Sequence, residues 1–537
     1  MKLITTLLLA TALSGVQDLR LTYRSEIDQT DQPYRILVPA AYDGTRPFPL
    51  VFALHGTGGT EATMIDGPQY GKGALKRAAE RSGALIVSPF GRGVTEFRGI
   101  GENDILSVLA DVRRRYRVDP DRIYLTGHSM GGTGSAYLAM RHPDVFAAAA
   151  PLAAAYSFPW LAANLKQVPS WWIMGAADDH YYHLGVDPGI ARLRALGCPV
   201  RYTNLPGKGH GGPVEDLEGV VAWLLEHKRA HPREYVFEVD TPMHGRAWWT
   251  SVEAITEPGK MAMVKARAEG RGRARLELTN VAALAFVPDP DVFDAAIEVT
   301  VDGTRVYNGR LSETQELGIT GGPRRWKAAP RPRRERSLTA WRTNPVAEAP
   351  ERLDMRGIEA PLANWITDAM RAATGADLAL YNRQHYRGLP LPAGTVDMVD
   401  LIQASRPFDQ YLVTVRLRGR DLVEIFDANI PQPKKPDGRA VDAPVADRLV
   451  QLSGGRYTFD RSRPAGSRIV ETDLVPDRVY TVALEGQVVE RETMLLAGRF
   501  GKLDFRTTDV PFTLALYGHA AKQKRIVGRV EGRVRER

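Results

Sequence analysis

The feature that most constrains the fold of this chain is a serine-containing glycine run, Gly127-His128-Ser129-Met130-Gly131-Gly132. It directly follows residues 122–126, which have the apolar, β-rich composition of a buried strand. A strand that ends in G-x-S-x-G and continues into a helix holds the serine hydroxyl on a strained turn, where a base can reach it. Small residues flank the serine because strand and helix pass so closely that a side chain there would clash. The pattern therefore predicts a strand, a tight turn at Ser129 and a helix.

Residues 20–230 alternate short apolar segments with helical patterns. The β-rich segments are 34–38, 49–54, 84–88, 123–125, 146–150, 171–174 and 200–202. Helical periodicity is present at 104–116 and 133–141. Strands that alternate with helices form a mostly parallel sheet with helices on both faces. We therefore expect an α/β domain, of the α/β-hydrolase type, over residues 18–232.

Three candidate catalytic residues occur in the order that such a domain requires. A serine hydroxyl is a weak nucleophile at neutral pH, so it needs a neighbouring base and a carboxylate behind that base. In α/β hydrolases the chain order is Ser, acid, His, each in a loop after a strand. Ser129, Asp178 and His210 each follow a predicted strand in that order. We predict that His210 takes the Ser129 proton and that Asp178 orients the imidazole.

The acid and the base both have rivals in one loop. Asp179 adjoins Asp178 and is equally ionisable, so it is the alternative acid. His180 and His183 are the alternative bases, although contact with a cleft or with solvent explains them as well.

Two backbone N–H groups are expected to bind the oxyanion of the tetrahedral intermediate. The first belongs to Met130, directly after the nucleophile. The second comes from the loop after the strand at 49–54, which reads His55-Gly56-Thr57-Gly58-Gly59 and has Thr57 as the preferred donor. His55 is a candidate residue of the substrate cleft.

Residues 30–225 resemble the secreted α/β-hydrolase esterases of the polyhydroxybutyrate depolymerase and feruloyl esterase type. The resemblance rests on segments 103–106, 116–132 and 143–148, which include the serine run. The family's acid motif H-G-x-x-D is present as Met174-Gly175-Ala176-Ala177-Asp178, which favours Asp178 over Asp179. Met174 replaces the histidine of that motif, and we expect this change to affect packing rather than chemistry.

The resemblance implies hydrolysis of a small-molecule or polymer-linked carboxylic ester, such as a feruloyl, acetyl or polyester substrate, without a cofactor.

Several aromatic residues follow the strand ends and are candidates for a cleft wall, although core or lid packing explains them equally well. They are Tyr156, Phe158, Trp160, Tyr181 and Tyr182. No Cys/His pattern with the spacing of a zinc site is found, so no metal is predicted.

The pattern changes after residue 232. Residues 233–321 contain short alternating strands, such as 275–278 and 297–301, and the latter turns at Asp302-Gly303 into 304–307, which is a hairpin signal. This segment predicts a β-sandwich module. Residues 322–349 are rich in Pro and Arg and predict a linker. An amphipathic helix at 362–373 then opens a mixed α/β domain over residues 350–537.

The net charge of +8 is concentrated rather than spread over the chain. Residues 323–342 hold most of the excess of Lys and Arg, and residues 522–537 form a basic tail. We expect the linker to be solvated, with a polyanion-binding arm as the alternative. No nucleic-acid partner is expected.

The N-terminal residues 1–17 have the pattern of a secretory signal peptide. Lys2 precedes the apolar residues 3–13, and Ser14-Gly15 provide small residues for cleavage. This segment is too short to span a bilayer, and a buried first strand or helix is the alternative. Cys198 is the single cysteine, so no disulfide framework is possible within the chain. These features predict a secreted or periplasmic protein without a membrane span.

Residues 350–520 look like the C-terminal domain of 5'-nucleotidases, on segments 364–371, 374–382, 407–408 and 480–483. In that family this domain binds the nucleoside, and a separate metal-containing domain, whose ligand motifs are absent here, performs the chemistry. The family's binding motif N-G-G-x-x-R reads Asn382-Arg383-Gln384-His385-Tyr386-Arg387, so Asn382 and Arg387 are possible ligand residues. The two base-stacking positions read Leu412 and Lys502, which favours a retained fold with a drifted or different binding role.

Three function classes follow from these patterns. A secreted serine carboxylesterase with accessory modules is favoured. A serine peptidase on the same scaffold is an alternative, because a triad alone does not distinguish an ester from an amide. A binding protein that acts through its C-terminal domain is the third. The sequence leaves the oligomeric state open.

Overall fold

Alternate residues of the central strands point to opposite faces of one large sheet. The computed structural model describes residues 15–178, 180–334, 345–383, 386, 388–405, 410–430, 449–486 and 503–537. The strands of this sheet are β1 (Gln17–Arg24), β2 (Asp31–Val38), β3 (Phe48–Leu54), β4 (Leu85–Pro89), β5 (Val118–His128), β6 (Ala148–Leu152), β7 (Ser170–Gly175) and β8 (Val200–Leu205). Their order is β1-β2-β4-β3-β5-β6-β7-β8. The strands from β3 to β8 are parallel, and β1 and β2 extend one edge in antiparallel pairing.

Helices cover both faces of this sheet. They are α1 (Thr63–Asp66), α2 (Ala74–Ser82), α3 (Ile100–Arg115), α4 (Met130–Arg141), α5 (His180–Ala195) and α6 (Leu217–Leu225), with short 3₁₀ helices at Pro68–Tyr70, Pro159–Gln167 and Gly212–Val214. On one face, Val51 and Ala53 of β3 pack in a core with α2 and α6. On the other face, Leu50 and Phe52 pack in a core with α3, α4 and α5. The α/β-hydrolase fold class expected from the sequence is confirmed.

Two five-stranded antiparallel-rich sheets follow this domain and pack around a common core. Their strands are β9 (Glu234–Val239), β10 (Arg246–Ala247), β11 (Thr250–Ile255), β12 (Ala262–Ala268), β13 (Arg273–Thr279), β14 (Val281–Phe286), β15 (Ala296–Val301), β16 (Thr304–Arg310), β17 (Gln315–Thr320) and β18 (Lys327–Pro332), and a 3₁₀ helix lies at Pro242–His244. β15 and β16 form the predicted hairpin. Asp302 and Gly303 both have positive φ, as the tight turn requires.

The structure corrects the predicted linker at both ends. Lys327–Pro332 is β18, an edge strand that pairs with β17. The side chain of Arg331 on this strand forms ion pairs with Glu253 and Glu316, so part of the basic run is held against the sandwich. At the other end Ala347–Ala349 is also a strand, and residues 335–344 lie outside the described part of the chain.

The C-terminal region is a mixed α/β domain. Its strands are β19 (Ala347–Ala349), β20 (Leu378–Asn382), β21 (Gly394–Val396), β22 (Tyr411–Arg418), β23 (Val450–Ser453), β24 (Tyr457–Phe459), β25 (Ile469–Thr472), β26 (Val479–Glu485), β27 (Arg506–Pro511) and β28 (Val534–Glu536). Its helices are α7 (Pro361–Thr374), α8 (Met398–Ala404), α9 (Gly419–Ala428) and α10 (Phe512–Gln523). The central sheet has the order β23-β20-β26-β22-β27, and α7 is the predicted amphipathic helix.

Both ends of the described chain belong to sheets. In the basic C-terminal segment, β28 pairs with β24 and Arg533 binds the carboxylate of Asp368 at 2.8 Å. At the other end, Gln17 begins β1, and residues 1–14 of the predicted signal peptide lie outside the described residues. No helix among the described residues is long and apolar enough to cross a membrane.

A buried ion pair joins the α/β domain to the sandwich. Arg141 at the end of α4 pairs with Asp240, and the two side chains are only 2% and 1% exposed. Trp160 donates from Nε1 to the other oxygen of Asp240 at 3.2 Å. Beside this pair, Glu102 accepts hydrogen bonds from His142 and His244 at 2.7 and 3.0 Å. These contacts form a largely buried charged network between the two domains.

The substitution Arg141→Met is expected to lower the free energy of unfolding by about 3–5 kcal/mol, because it leaves Asp240 charged and buried. The double substitution Arg141→Met/Asp240→Leu removes both charges and is expected to recover most of that loss. Urea unfolding followed by tryptophan fluorescence measures both values. A loss below about 1 kcal/mol in the single variant would show that the pair is as solvated as a surface salt bridge.

Candidate active site

Ser129 occupies a strained turn between β5 and α4. β5 ends at His128, α4 begins at Met130, and Ser129 has φ 57° and ψ −116°. A non-glycine residue in this region of φ is costly, and such strain is found mainly at functional sites. The backbone N–H of Ser129 donates to the carbonyl of Leu152 at 2.8 Å, which ties the turn to the neighbouring strand β6. The serine is half-buried at the carboxyl ends of the parallel strands.

The glycines of the run permit the close passage that the sequence predicts. A Cβ atom on Gly131 would overlap the carbonyl oxygen of Leu54, and one on Gly127 would lie 2.7 Å from the same oxygen. A Cβ atom on Gly132 would lie 2.6 Å from the carbonyl of Leu152. Helix α4 therefore starts in direct contact with the ends of β3 and β6, and a larger residue at any of these positions would push the helix away.

The structure brings Asp178 and His210 together. Nδ1 of His210 lies 2.8 Å from Oδ2 and 3.1 Å from Oδ1 of Asp178. Because an ionised carboxylate only accepts hydrogen bonds, Nδ1 carries the proton and Nε2 is left as the basic nitrogen. The Asp178 side chain is 3% exposed, whereas that of His210 is 36% exposed and open to a substrate.

The loops that carry these two residues touch through their backbones. The N–H of Ala177 donates to the carbonyl of Lys208 at 2.8 Å. A Cβ atom on Gly175 would overlap the carbonyl oxygens of Lys208 and Gly209, so only glycine permits this approach. This contact fixes Asp178 opposite His210. Of the rivals, Asp179 lies outside the described residues, as do the side chains of His180 and His183.

His128 is a site residue to which the sequence analysis gave no role. Its Nε2 lies 2.9 Å from the backbone carbonyl of His210, and its Nδ1 lies 3.1 Å from the hydroxyl of Tyr70. Burial lowers the pKa of His128 to about 4, so the ring is neutral at neutral pH. Since a carbonyl only accepts, Nε2 donates to His210 and Nδ1 accepts from Tyr70. The ring also packs against that of His210 at 4.9 Å. The sequence feature that could have indicated a role for His128 is its position inside the glycine run, next to Ser129.

We expect His128 to position His210. The substitution His128→Leu removes the donor to the His210 carbonyl and is expected to lower kcat by about 10–100-fold, the cost of a small misplacement of a catalytic group. His128→Gln retains an N–H donor and should lose much less, and Tyr70→Phe tests the second contact alone. Steady-state ester hydrolysis gives the three values. A kcat for His128→Leu within twofold of the wild type would remove this role.

The expected oxyanion donors lie on both sides of Ser129. Met130 is the first residue of α4, where the helix provides no acceptor for its N–H group. On the other side, a Cβ atom on Gly56 would lie 3.6 Å from Cβ of Ser129, so the loop with Thr57 passes beside the serine. Thr57 itself is exposed. The geometry is compatible with both donors, whose role stays a prediction.

The sequence analysis named His55 as a candidate residue of the substrate cleft, but its side chain does not face a cleft. It is fully buried, with Nδ1 and Nε2 each 2.7 Å from a carbonyl, of Gly56 and of Phe90 respectively. Its ring packs edge-on against Phe97 at 5.3 Å. The buried ring of His55 therefore supports the loop that contains Thr57.

The aromatic cleft candidates are buried between domains. Tyr156 is 4% and Trp160 2% exposed. Gln410 of the C-terminal domain donates from Nε2 to the carbonyl of Tyr156 at 2.5 Å, and the ring of Trp160 packs against Tyr411 at 5.6 Å. The packing alternative is thus correct for both, and Phe158 is likewise buried. The side chain of Tyr181 lies outside the described residues.

The C-terminal candidates are only partly described. Asn382 is buried at the end of β20, and Arg387 and Lys502 lie outside the described residues. Leu412 is fully buried in the core of this domain, where it cannot stack on a ligand. The neighbouring Arg383 donates to the carbonyls of Met355 and Gly357 at 3.0 and 2.7 Å. Its guanidinium is therefore bound to the protein itself.

One group in the described chain has the spacing of metal ligands. His231, Asp289 and Asp291 hold potential ligand atoms within 4.8 Å of one another. Nδ1 of His231 already bonds to Asp289 at 3.0 Å, and Asp291 is exposed. We assign no metal to this group.

Comparisons with known proteins match two separate segments of the chain. Residues 103–184 match the family model described as "Putative esterase", and residues 343–489 match that of "5'-nucleotidase, C-terminal domain". The chain therefore contains one segment that is similar to esterases and a later segment that is similar to the C-terminal domain of 5'-nucleotidases. Probable feruloyl esterase C of Aspergillus flavus is 28% identical over 200 residues, which cover 35% of this chain and 71% of that protein. The esterase domain thus resembles a curated relative over most of that relative's length.

Two further similarities are more limited. Endonuclease YhcR of Bacillus subtilis strain 168 is 31% identical over 129 residues, or 24% of this chain, but the match spans only 9% of YhcR. A solved thermostable esterase aligns over 40% of this chain and 63% of its own, with 24% identity and a TM-score of 0.36.

Proposed function

We propose that this protein hydrolyses carboxylic esters through an acyl-enzyme on Ser129. The observation that carries the proposal is the strained turn that holds Ser129 at the start of α4, beside a loop in which His210 is bonded to Asp178. A nucleophile, a base and an orienting acid at the carboxyl ends of parallel strands form the arrangement that acyl transfer requires.

In the first half of the reaction, Oγ of Ser129 attacks the ester carbonyl and its proton passes to Nε2 of His210. Nδ1 of the same ring keeps its hydrogen bond to Asp178, which stabilises the positive charge on the imidazolium. The N–H groups of Met130 and Thr57 bind the oxyanion of the tetrahedral intermediate. When that intermediate collapses, His210 gives the proton to the departing alcohol.

The second half repeats these steps with water. His210 takes a proton from a water molecule, whose oxygen attacks the acyl-enzyme. The intermediate releases the acid, and Ser129 regains its proton. No electron transfer is involved, so the chemistry needs only groups that the chain itself provides.

The similarity to feruloyl esterase C supports an ester rather than an amide as the substrate. A feruloyl, acetyl or polyester substrate is compatible with the triad, which does not itself select the acyl group. We also propose that the protein is exported, on the pattern of residues 1–17.

Covalent labelling tests the proposal. A fluorophosphonate reagent is expected to add one phosphonyl group to the peptide that contains Ser129, as detected by mass spectrometry, and to abolish hydrolysis of p-nitrophenyl acetate. Turnover of a chromogenic peptide by the unlabelled protein would favour the peptidase alternative if it exceeded ester turnover. Ester hydrolysis that persists after complete labelling of Ser129 would exclude the mechanism.

A further inference from the structure

A cleft of about 420 Å³, counted to its open mouth, lies between the esterase domain and the C-terminal domain. One wall comes from Val94, Thr95, Glu96 and Arg98 in the loop after β4. The facing wall comes from the C-terminal domain, with Gly388, Leu389, Ile402, Gln403 and Ser405.

The esterase wall is attached to the catalytic loops. The N–H of Gly58, next to Thr57, donates to the carbonyl of Gly93 at 2.9 Å, and Val94 follows directly. Further along the wall, Phe97 is fully buried and packs against the ring of His55. A Cβ atom on Gly134 of α4 would lie 2.8 Å from the Phe97 ring, so this side chain also contacts the helix behind Ser129. The cleft therefore begins where the loop with Thr57 is anchored.

The backbone of this wall is strained. Glu96 and Phe97 have φ of 57° and 55°, in the left-handed region that non-glycine residues rarely occupy. Their conformation sends Phe97 into the core, while Val94 and Thr95 line the cleft. Strain of this kind persists only where the surrounding contacts enforce it, and it is concentrated at ligand sites.

The C-terminal wall is held against the esterase domain and is internally bonded. A Cβ atom on Gly99 would lie 2.9 Å from Cγ of Gln403, and Leu106 of α3 packs on Val399 of α8. The N–H of Leu389 donates to the carbonyl of Gln403 at 2.8 Å. The hydroxyl of Ser405 donates to the carbonyl of Ile402 at 2.7 Å. Both walls are thus held in place by contacts within the protein.

The side chains of the cleft define the ligand chemistry. Val94 and Leu389, one from each domain, are 50% and 47% exposed and give both walls an apolar surface. Thr95 and Gln403 add polar groups to the same walls, and the buried residues Glu96 and Arg98 add a carboxylate and a guanidinium. An apolar group with a hydrogen-bonding edge fits this lining.

We propose that this interdomain cleft is a substrate subsite, which binds an apolar group attached to the ester that Ser129 cleaves. The inference rests on the proposed esterase function. It gives the 5'-nucleotidase C-terminal domain a direct part in substrate binding by the esterase, since that domain contributes half of the subsite.

Three esters measured on the full-length protein test the proposal. Ethyl acetate is the reference, methyl 4-phenylbutyrate carries an apolar group on the acyl side, and 4-phenylbutyl acetate carries it on the alcohol side. Leu389→Glu and Val94→Glu each place a charge in the cleft from a different domain. Both are expected to lower kcat/KM for one phenyl ester, relative to ethyl acetate, by at least about tenfold, the cost of placing a charge beside an apolar group. The ester that responds identifies the side of the substrate that enters the cleft.

The matched control is Val475→Glu, which changes an aliphatic residue of the same domain that is 55% exposed and lies outside the cleft. Its ratios are expected to equal those of the wild type. Ratios within threefold of the wild type for both phenyl esters in Leu389→Glu and Val94→Glu would overturn the subsite. Failure of the esterase proposal is distinct, because ethyl acetate hydrolysis by the wild type would then not depend on Ser129.

Discussion

Replacing Ser129 with alanine is expected to lower kcat for ester hydrolysis by about 10⁶-fold, because a base and an oxyanion site cannot act without the nucleophile that they serve. A residual acceleration of roughly 10³–10⁴ over water should remain from binding and oxyanion stabilisation. The measurement is single-turnover and steady-state hydrolysis of p-nitrophenyl acetate. The matched control is Ser107→Ala, which changes a serine in α3 rather than in the strained turn and should retain wild-type kcat.

The same position links activity to stability. Ser129 has φ 57°, a conformation that alanine tolerates no better than serine but that glycine adopts freely. Ser129→Gly is therefore expected to be as inactive as Ser129→Ala and more stable by about 1 kcal/mol in thermal unfolding. Equal stability of the Gly and Ala variants would mean that the turn stores no strain. Activity above about 1% of the wild type in either variant would rule out Ser129 as the nucleophile.

The local part of this site could be predicted from the sequence, because positions where two backbone segments pass closely require glycine, and these glycines are visible in the sequence. Gly127, Gly131 and Gly175 are glycines since a Cβ atom at each would meet backbone atoms of a neighbouring loop or strand. The strands β2 to β8 and the helices α3 and α4, whose hydrophobic patterns are local, coincide with predicted segments, whereas β1 and the helices α1, α2, α5 and α6 were not predicted. The pairing of Asp178 with His210 followed from the order of loops along a parallel sheet.

The parts that the sequence did not predict depend on contacts between distant segments. Tyr156 and Trp160 have the sequence positions of cleft residues, but in the structure Gln410 and Tyr411 of the C-terminal domain cover them. The Pro/Arg-rich run was interpreted as a linker, yet an edge strand tolerates proline, and Glu253 and Glu316 neutralise Arg331 in β18. No local pattern contains the partner of a residue that lies tens or hundreds of positions away.

Asp178→Asn is expected to lower kcat by about 10⁴-fold while leaving the site geometry intact. The amide of asparagine can donate to Nδ1 of His210 at the position where Asp178 now accepts at 2.8 Å. That donation would move the ring proton to Nε2, so the nitrogen that should take the Ser129 proton would already carry one. The loss therefore arises from the wrong tautomer rather than from a displaced ring, and KM is expected to change little.

The control for this substitution is Asp187→Asn. Asp187 lies in α5, the helix that follows Asp178, and accepts a hydrogen bond from Tyr202 at 2.7 Å on the protein surface. It should retain wild-type kcat. Asp179→Asn tests the rival acid directly and is expected to cost less than about tenfold, since the hydrogen bond between Asp178 and His210 remains in this variant. If Asp179→Asn lost about 10⁴-fold and Asp178→Asn did not, the acid of the triad would be Asp179, and the bond between Asp178 and His210 would serve only to hold the two loops together.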